Sequence, residues 1–348
     1  MPWTIARRGL RSLGIARGQG WEATVAKLTA TPDGMSLEER LAVRQLLTEH
    51  ALCGEKSIRL YRISEATKLA ALETLTSLTI QPTPFTGAFP ALLTPEEVEA
   101  NFPAAATPVA VQHLPNGLAV VFASIRGFQF REELDRDSLP EEVQDALAGY
   151  DEVIGIRQEK RQTFEVVFVP FDGDLVEVRV DCPDGTPRSA SFAVQSQVKS
   201  SFNNLLGSQV LQDPVNLFGL IDAMYSAESE GTVVELAFST TTASTKFEKM
   251  RRRHLCLRQE VYHRAGKEAL TAPIEPFRVS IEWDVPLPND VMSRPELSIH
   301  STQSMRDAEL PNLCDVGIRH AVGQADYDFV MSRLQHFLQE LETAVESS

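Results

Sequence analysis

The chain has 348 residues, of which 43% are hydrophobic and 23% charged, and its formal net charge is −15 at pH 7. This composition is ordinary for a globular protein and argues against an intrinsically disordered chain. No stretch approaches the roughly 20 consecutive apolar residues of a membrane span, and the four scattered cysteines follow no secretory signal. We therefore expect a soluble, cytoplasmic protein with reduced thiols and no membrane partner.

Residues 1–21 carry four arginines and no acidic residue. This composition is found in mitochondrial presequences and in arms that bind phosphate. Five apolar side chains favour instead a segment that packs on the acidic body of the protein: Trp3, Ile5, Leu10, Leu13 and Ile15.

The next predicted elements are a helix, a strand and a second helix. Ser36 and Glu39 have the spacing of a capping box, which predicts a helix that continues to about His50. A strand over residues 57–63 follows, and leucines at helical spacing predict the next helix: Leu69, Leu72 and Leu75. The alternation of strand and helix indicates a layered α/β arrangement.

A loop, a short helix and a hairpin are predicted over residues 81–130. Proline, threonine and glycine interrupt both regular patterns between Gln81 and Pro90, which predicts a surface loop. Thr94 and Glu97 again have capping-box spacing. Two apolar runs then flank Asn116-Gly117, a pair that accepts the positive φ angles of a tight hairpin turn.

Beyond about residue 150 the patterns of strands predominate. Residues 164–170 and 175–180 flank an Asp-Gly-Asp turn and predict an antiparallel pair. Glu177 and Arg179 alternate with valines, which predicts one buried face and one face in water. The later elements are a helix over 190–206, a helix capped by Asp213-Pro214, three strands and a closing helix; the last four span 233–238, 277–283, 297–300 and 326–345.

The expected fold is therefore α+β. We predict an N-terminal, helix-rich α/β portion over residues 1–150 and a larger C-terminal portion over residues 151–348, which has an antiparallel sheet and a closing C-terminal helix. Two domains are expected because the chain exceeds the size at which one hydrophobic core usually stops growing. The boundary is soft, and a single elaborated domain is the alternative.

The segment from Lys246 to Lys267 is basic within this acidic chain. Glu248 and Glu260 are outnumbered by eight cations, which give a net charge of +6: Lys246, Lys249, Arg251, Arg252, Arg253, Arg258, Arg264 and Lys267. Such a concentration of charge attracts phosphates, carboxylates or an acidic protein surface. These eight side chains are the predicted anion contacts, and the four arginines from 251 to 258 are the best phosphate ligands because a guanidinium can bind two oxygens.

Two conformations of this segment are compatible with the sequence. A helix that begins near Thr245 would bury Phe247 and Val261, whereas a strand over residues 255–261 would place Arg258 and Glu260 on one face. In either conformation the cations can pair with the protein's own carboxylates instead of an external anion.

Three functions remain open from the sequence. The leading hypothesis is an accessory protein that binds DNA, RNA or another polyanion through residues 246–267, without a cofactor or a metal. The second is a subunit of a larger assembly, in which the same segment meets an acidic partner protein or a second copy of the chain. The third is a hydrolase or nuclease with Glu260 and His263 as catalytic candidates, although the chain contains no phosphate-loop, dinucleotide-binding or serine-hydrolase motif.

Overall fold

The structure is a computed structural model that describes residues 1–30, 34–147, 149–150, 152–183, 188–242 and 244–346. Its helices are α1 (Trp3–Ser12), α2 (Gly20–Thr29), α3 (Leu37–Cys53), α4 (Glu65–Thr76), α5 (Pro84–Ala88), α6 (Pro95–Ala100), α7 (Glu141–Ala146), α8 (Phe192–Leu206), α9 (Leu220–Ser226), α10 (Val261–Glu268), α11 (Gln303–Arg306) and α12 (Gln324–Glu346). Its strands are β1 (Lys56–Arg62), β2 (Ala104–Leu114), β3 (Gly117–Glu133), β4 (Ile154–Pro170), β5 (Leu175–Asp181), β6 (Thr232–Thr240), β7 (Ser244–Lys249), β8 (Glu275–Glu282), β9 (Val285–Leu287), β10 (Val291–Ser293), β11 (Glu296–His300) and β12 (Val316–Arg319). The protein is α+β, as predicted.

One large antiparallel sheet organises the molecule. Within the described residues it has ten strands in the order β2-β3-β4-β5-β1-β12-β11-β8-β6-β7. The strands β9 and β10 form a separate two-stranded ribbon. Strand β1 lies in the interior of the sheet, where it pairs with β5 on one side and with β12 on the other. The edges of the large sheet are β2 and β7.

Helices cover both faces of the sheet. The larger core packs one face against buried side chains of α9 and α12, including Ile221, Met224 and Leu334. The second core lies on the other face of the β1–β5 half, where Leu75 of α4 and Phe202 of α8 pack on valines of the strands. Apolar side chains on both faces of these strands are thus removed from water, and this burial is the main stabilising contribution to the fold.

The burial of β5 differs from the prediction of one wet face. Glu177 and Arg179 are 3% and 0% exposed, respectively. The Arg179 Nε donates to Glu177 Oε2 at 2.8 Å, and the hydroxyl of Tyr327 in α12 donates to the same oxygen at 2.7 Å. The prediction was wrong because the alternation of charge and valine reflects a buried ion pair under α12, not a face in water.

The predicted hairpin forms between β2 and β3, but its turn is different. The two residues between the strands are Pro115 and Asn116, and neither they nor Gly117 has a positive φ. Gly117 lies in β3, where an added Cβ would be 2.4 Å from the carbonyl oxygen of Val169. The glycine is therefore explained by the close approach of β4, not by the backbone conformation of the turn.

Several local predictions are confirmed and two are wrong. The capping boxes begin α3 at Ser36 and α6 at Thr94 as expected. The stretch from Gln81 to Pro90 contains α5 and is not entirely a loop. Asp213-Pro214 does not cap a helix. Pro214 forms an isolated β-bridge with Tyr61, and the next helix, α9, begins only at Leu220.

The predicted boundary near residue 150 falls between β3 and β4. These two strands pair continuously from Gly117 with Pro170 to Glu133 with Ile154. The division into two domains stays a prediction.

The N-terminal basic segment packs on the body, as its apolar residues predicted. Ile5, Leu10 and Ile15 are buried in a small cluster with Leu46 and Val322. Among the described residues, no helix is both long enough and apolar enough to cross a bilayer.

Candidate anion-binding site

The basic segment forms neither of the two conformations expected for it. It begins as strand β7, turns through residues 250–256, makes a 3-10 turn from Leu257 to Gln259 and ends as helix α10. Phe247 is 69% exposed and Val261 is 80% exposed, so neither belongs to a buried helical face. Pairing of β7 with β6 fixes the first part as a strand, and Glu260 then caps a new helix with a bond from the backbone N–H of His263 to its carboxylate.

Three of the eight predicted cations are exposed and lack a partner carboxylate. Lys246 lies in β7, and Arg251 and Arg252 lie in the turn that follows it. No described carboxylate oxygen lies within 4.0 Å of the charged groups of these three side chains. Their charges are therefore available to an external anion.

Two further cations are exposed but have weak partners. The Lys249 Nζ is 3.5 Å from Glu235 Oε2, and the lysine side chain is still 66% exposed. Arg264 and Glu268 lie one helical turn apart in α10, with 3.7 Å between their charged atoms. Ion pairs of this exposed kind contribute only about 0 to 1 kcal/mol, so they exchange readily for a better anion.

Arg253 is occupied by two carboxylates of the sheet. Its Nε donates to Glu282 Oε1 at 2.5 Å, and its terminal nitrogen donates to Glu296. Burial acts to lower the pKa of Arg253, but the charges of Glu296 and Glu282 outweigh it, so the pKa is raised. Arg253 neutralises two neighbouring strand ends and is not presented to solvent as a phosphate ligand.

Arg258 is occupied by backbone carbonyl groups. Its guanidinium donates to the carbonyl oxygens of Met224 at 2.7 Å, Tyr225 at 2.8 Å and Glu230 at 3.0 Å. Lys267 is exposed, but its Nζ donates to the Tyr225 hydroxyl oxygen at 3.3 Å and lies 5.0 Å from the centre of that ring. The structure thus separates the eight predicted contacts into five exposed cations with weak partners or none among the described carboxylates, and three that are engaged by other groups of the protein: Arg253, Arg258 and Lys267.

The two catalytic candidates do not act on each other through their side chains. The Glu260 carboxylate accepts from the backbone of α10, and bonds from the N–H groups of His263 and Tyr262 lower its pKa. The His263 ring instead lies between Glu248, with Nδ1 2.6 Å from Oε2, and Tyr225, with Nε2 2.8 Å from the hydroxyl oxygen.

A carboxylate, an imidazole and a phenol in line can pass a proton. His263 and Tyr225 are only 4% and 5% exposed, however. A cavity of about 420 Å³ is lined by residues of α4, by Leu206 and by residues 208–210, none of which belongs to this group. The arrangement of Glu248, His263 and Tyr225 is therefore best explained as a hydrogen-bonded link between α10, α9 and β7.

One set of side chains has the composition of a metal site. Glu282, Glu296 and His320 each offer a ligand atom, and these atoms lie within 4.8 Å of one another. The guanidinium of Arg253 already bridges the two carboxylates, and Ser298 donates to Glu296 at 2.6 Å. A divalent cation would have to displace Arg253, so this set carries no proposal for a metal.

Sequence reasoning missed the internal partners of the basic segment. The carboxylates on β8 and β11, and the carbonyls of α9 and of the turn after it, lie outside the segment and are not part of its own sequence pattern. One signal for Glu282 was available. Side chains alternate along a strand, so Glu282, which follows the buried Ile281, is expected to face away from the larger core.

Comparisons with known proteins add no relative to this description. No family model, curated protein or solved structure matches the chain. Function is therefore inferred from the contacts of the chain's own residues.

Proposed function

We propose that the protein is an accessory factor that binds a polyanion, a nucleic acid or an acidic polypeptide, at one edge of its sheet. The contact surface is the basic edge, defined as Lys246, Lys249, Arg251 and Arg252. The observation that carries this proposal is that three of these four cations have no partner among the described carboxylates, although the chain as a whole carries −15.

Charge explains why such a surface would bind. Free cations keep a positive local potential that draws anions from solution, whereas the acidic remainder of the chain repels them. Each cation that meets a phosphate or carboxylate also releases bound counterions, which makes the affinity depend on salt. A patch of four cations on an acidic protein supports a short, local contact, and does not support extended wrapping of a duplex.

The first prediction concerns charge reversal at the basic edge. We expect labelled single-stranded DNA, RNA and poly-L-glutamate to bind at low salt, with an affinity that falls between 50 and 200 mM salt, as fluorescence anisotropy would measure. The double variant Arg251→Glu/Arg252→Glu should bind more weakly, with a salt slope for the nucleic acids reduced by roughly 1 for each phosphate contact removed.

The matched control is Arg7→Glu/Arg11→Glu. It changes the net charge by the same amount at two exposed arginines of α1. The control should bind as the unmodified protein does. Equal losses in both variants, or no binding of any of the three polyanions at 50 mM salt, would contradict the proposal.

A further inference from the structure

Strand β7 is a free edge of the sheet. Within the described residues it is the last strand in the order, and its only neighbour is β6. An unpaired edge presents a row of backbone N–H and C=O groups that can pair with another extended chain. In most proteins a bulge, a proline or a covering loop protects such an edge.

The register shows which backbone groups point outward. The N–H of Met250 donates to the carbonyl of Val234 at 2.9 Å, so Met250 is a hydrogen-bonded position. Hydrogen-bonded positions alternate along an antiparallel pair. The backbone N–H and C=O groups of alternate residues therefore point toward β6, namely those of Ser244, Lys246 and Glu248. The corresponding groups of the residues between and after them point to the free edge: Thr245, Phe247 and Lys249.

The side chains around this edge combine one apolar group with several charges. Phe247 is 69% exposed at the centre of the strand. Because side chains alternate along a strand, Lys249 shares the face of Phe247 and Lys246 lies on the opposite face, while Arg251 and Arg252 follow in the turn. An occupant would thus need an extended backbone, an apolar side chain for Phe247 and carboxylates for the cations.

We infer that an extended acidic segment of another polypeptide adds to the sheet beside β7. This inference rests on the proposed function and names the class of polyanion. Backbone hydrogen bonds to Thr245, Phe247 and Lys249 supply the pairing, and charge selects the partner. A nucleic acid would use the cations, but its phosphates only accept hydrogen bonds, so its backbone could not pair with the alternating N–H and carbonyl groups of the edge.

A second copy of this chain is a weaker occupant. Antiparallel pairing of two β7 strands about Phe247 would bring two sets of four cations together. In that pairing Lys246 would lie opposite Glu248 of the other copy. The carboxylate of Glu248 is already engaged, because its Oε2 lies 2.6 Å from His263 Nδ1. Like charges at a sheet edge oppose self-association.

The experiment compares two peptides and two variants. The probes are a blocked peptide of four Glu-Val repeats and a blocked peptide of four Glu-Pro repeats, which has the same number of carboxylates but cannot pair as a strand. The variants are Phe247→Ala, which removes only the ring, and Phe247→Pro, which also removes the outward N–H. Proline is tolerated at an edge position whose N–H faces solvent, so the pairing with β6 should remain.

We expect the Glu-Val peptide to bind at least about tenfold more tightly than the Glu-Pro peptide to the unmodified protein. Phe247→Pro should weaken the binding of the Glu-Val peptide by about tenfold relative to Phe247→Ala, as expected for the loss of one backbone hydrogen bond. In the unmodified protein, hydrogen exchange at the amides of Thr245, Phe247 and Lys249 should slow when the Glu-Val peptide is added. The exchange measurement uses only the unmodified protein, so it tests the inference even if Phe247→Pro does not fold.

Three outcomes would overturn the inference. Equal binding of the two peptides, unchanged exchange at the three amides, or a dimer that forms through β7 without any peptide would each do so. If oligothymidylate and both peptides bind equally and Arg251→Glu/Arg252→Glu abolishes their binding, strand addition is wrong and the proposed polyanion binding stands. If none of them binds at low salt, both proposals are wrong.

Discussion

Arg179 shows how one residue can join the two sides of a core. Its side chain is fully buried, and its guanidinium carbon is 4.3 Å from the ring centre of Tyr327 and 4.9 Å from that of Phe168. Glu177 supplies the opposite charge. Burial, more than any neighbour, raises the pKa of the Tyr327 hydroxyl well above its usual value, so this group stays neutral and donates to Glu177.

The residue-scale prediction is that Arg179→Met lowers the free energy of unfolding by about 3 to 5 kcal/mol. The loss arises because Glu177 would remain buried without its cation. Chemical denaturation followed by fluorescence measures this change.

The control for Arg179 is the double variant Glu177→Leu/Arg179→Met. We expect it to recover part of the loss, because an apolar pair of similar size leaves no buried charge, although the buried Tyr327 hydroxyl then loses its acceptor. The exposed Arg62, which pairs with Asp174 and Glu342, should cost no more than about 1 kcal/mol when replaced by alanine. A double variant as unstable as Arg179→Met would show that the uncompensated carboxylate is not the cause.

At the scale of elements, the β2–β3 hairpin depends on space beside Gly117. We expect Gly117→Ala to destabilise the protein by about 1 to 3 kcal/mol, because the new methyl group would displace the backbone of β4 at Val169 or the ring of Phe168. Urea denaturation of the purified variant measures the effect.

The comparison for this prediction is Gly87→Ala in α5. Gly87 has no atom within 4 Å of an added Cβ, and its φ is not positive. Its free energy of unfolding should change by less than about 1 kcal/mol. Similar losses at both glycines would mean that close packing against β4 does not explain Gly117.

Elements with local signals could be predicted, and elements defined by distant neighbours could not. The capping boxes at Ser36 and Thr94 are complete within four residues of sequence, so they predicted α3 and α6 correctly. Strand β7, with the sequence STKFEK, has no regular alternation of apolar and polar residues, and its conformation depends on pairing with β6. The buried pair on β5 needed knowledge of α12, which lies about 150 residues away in the chain.

The same reasoning explains the result for the basic segment. Its composition identified the exposed Lys246, Arg251 and Arg252. Composition could not separate them from Arg253 and Arg258, since the carboxylates and carbonyls that occupy those two arginines belong to β8, β11, α9 and the turn after α9. A count of charges therefore overestimates the surface available to a ligand.

At the scale of the whole molecule, the sheet continues across the one predicted domain boundary, near residue 150. Strand β3 pairs with β4 across residue 150, and β1 connects β5 to β12. Because the two halves share strand pairs, we expect thermal unfolding to occur as one cooperative transition.

Calorimetry tests this expectation directly. A single transition, with equal calorimetric and van't Hoff enthalpies, would agree with one sheet. Two resolved transitions would support the two-domain division at residues 1–150 and 151–348 instead.

The turn after β7 is held at several fixed points. Met250 is tied to Val234, Leu255 is tied to Arg252, and Arg253 and Arg258 are anchored in the body. Arg251 and Arg252 lie between two of these points, Met250 and Arg253, so the backbone that carries them is already ordered before any ligand arrives. Arg251 and Arg252 would then lose mainly side-chain rotamer freedom on binding, so a ligand would gain affinity from preorganisation as well as from charge.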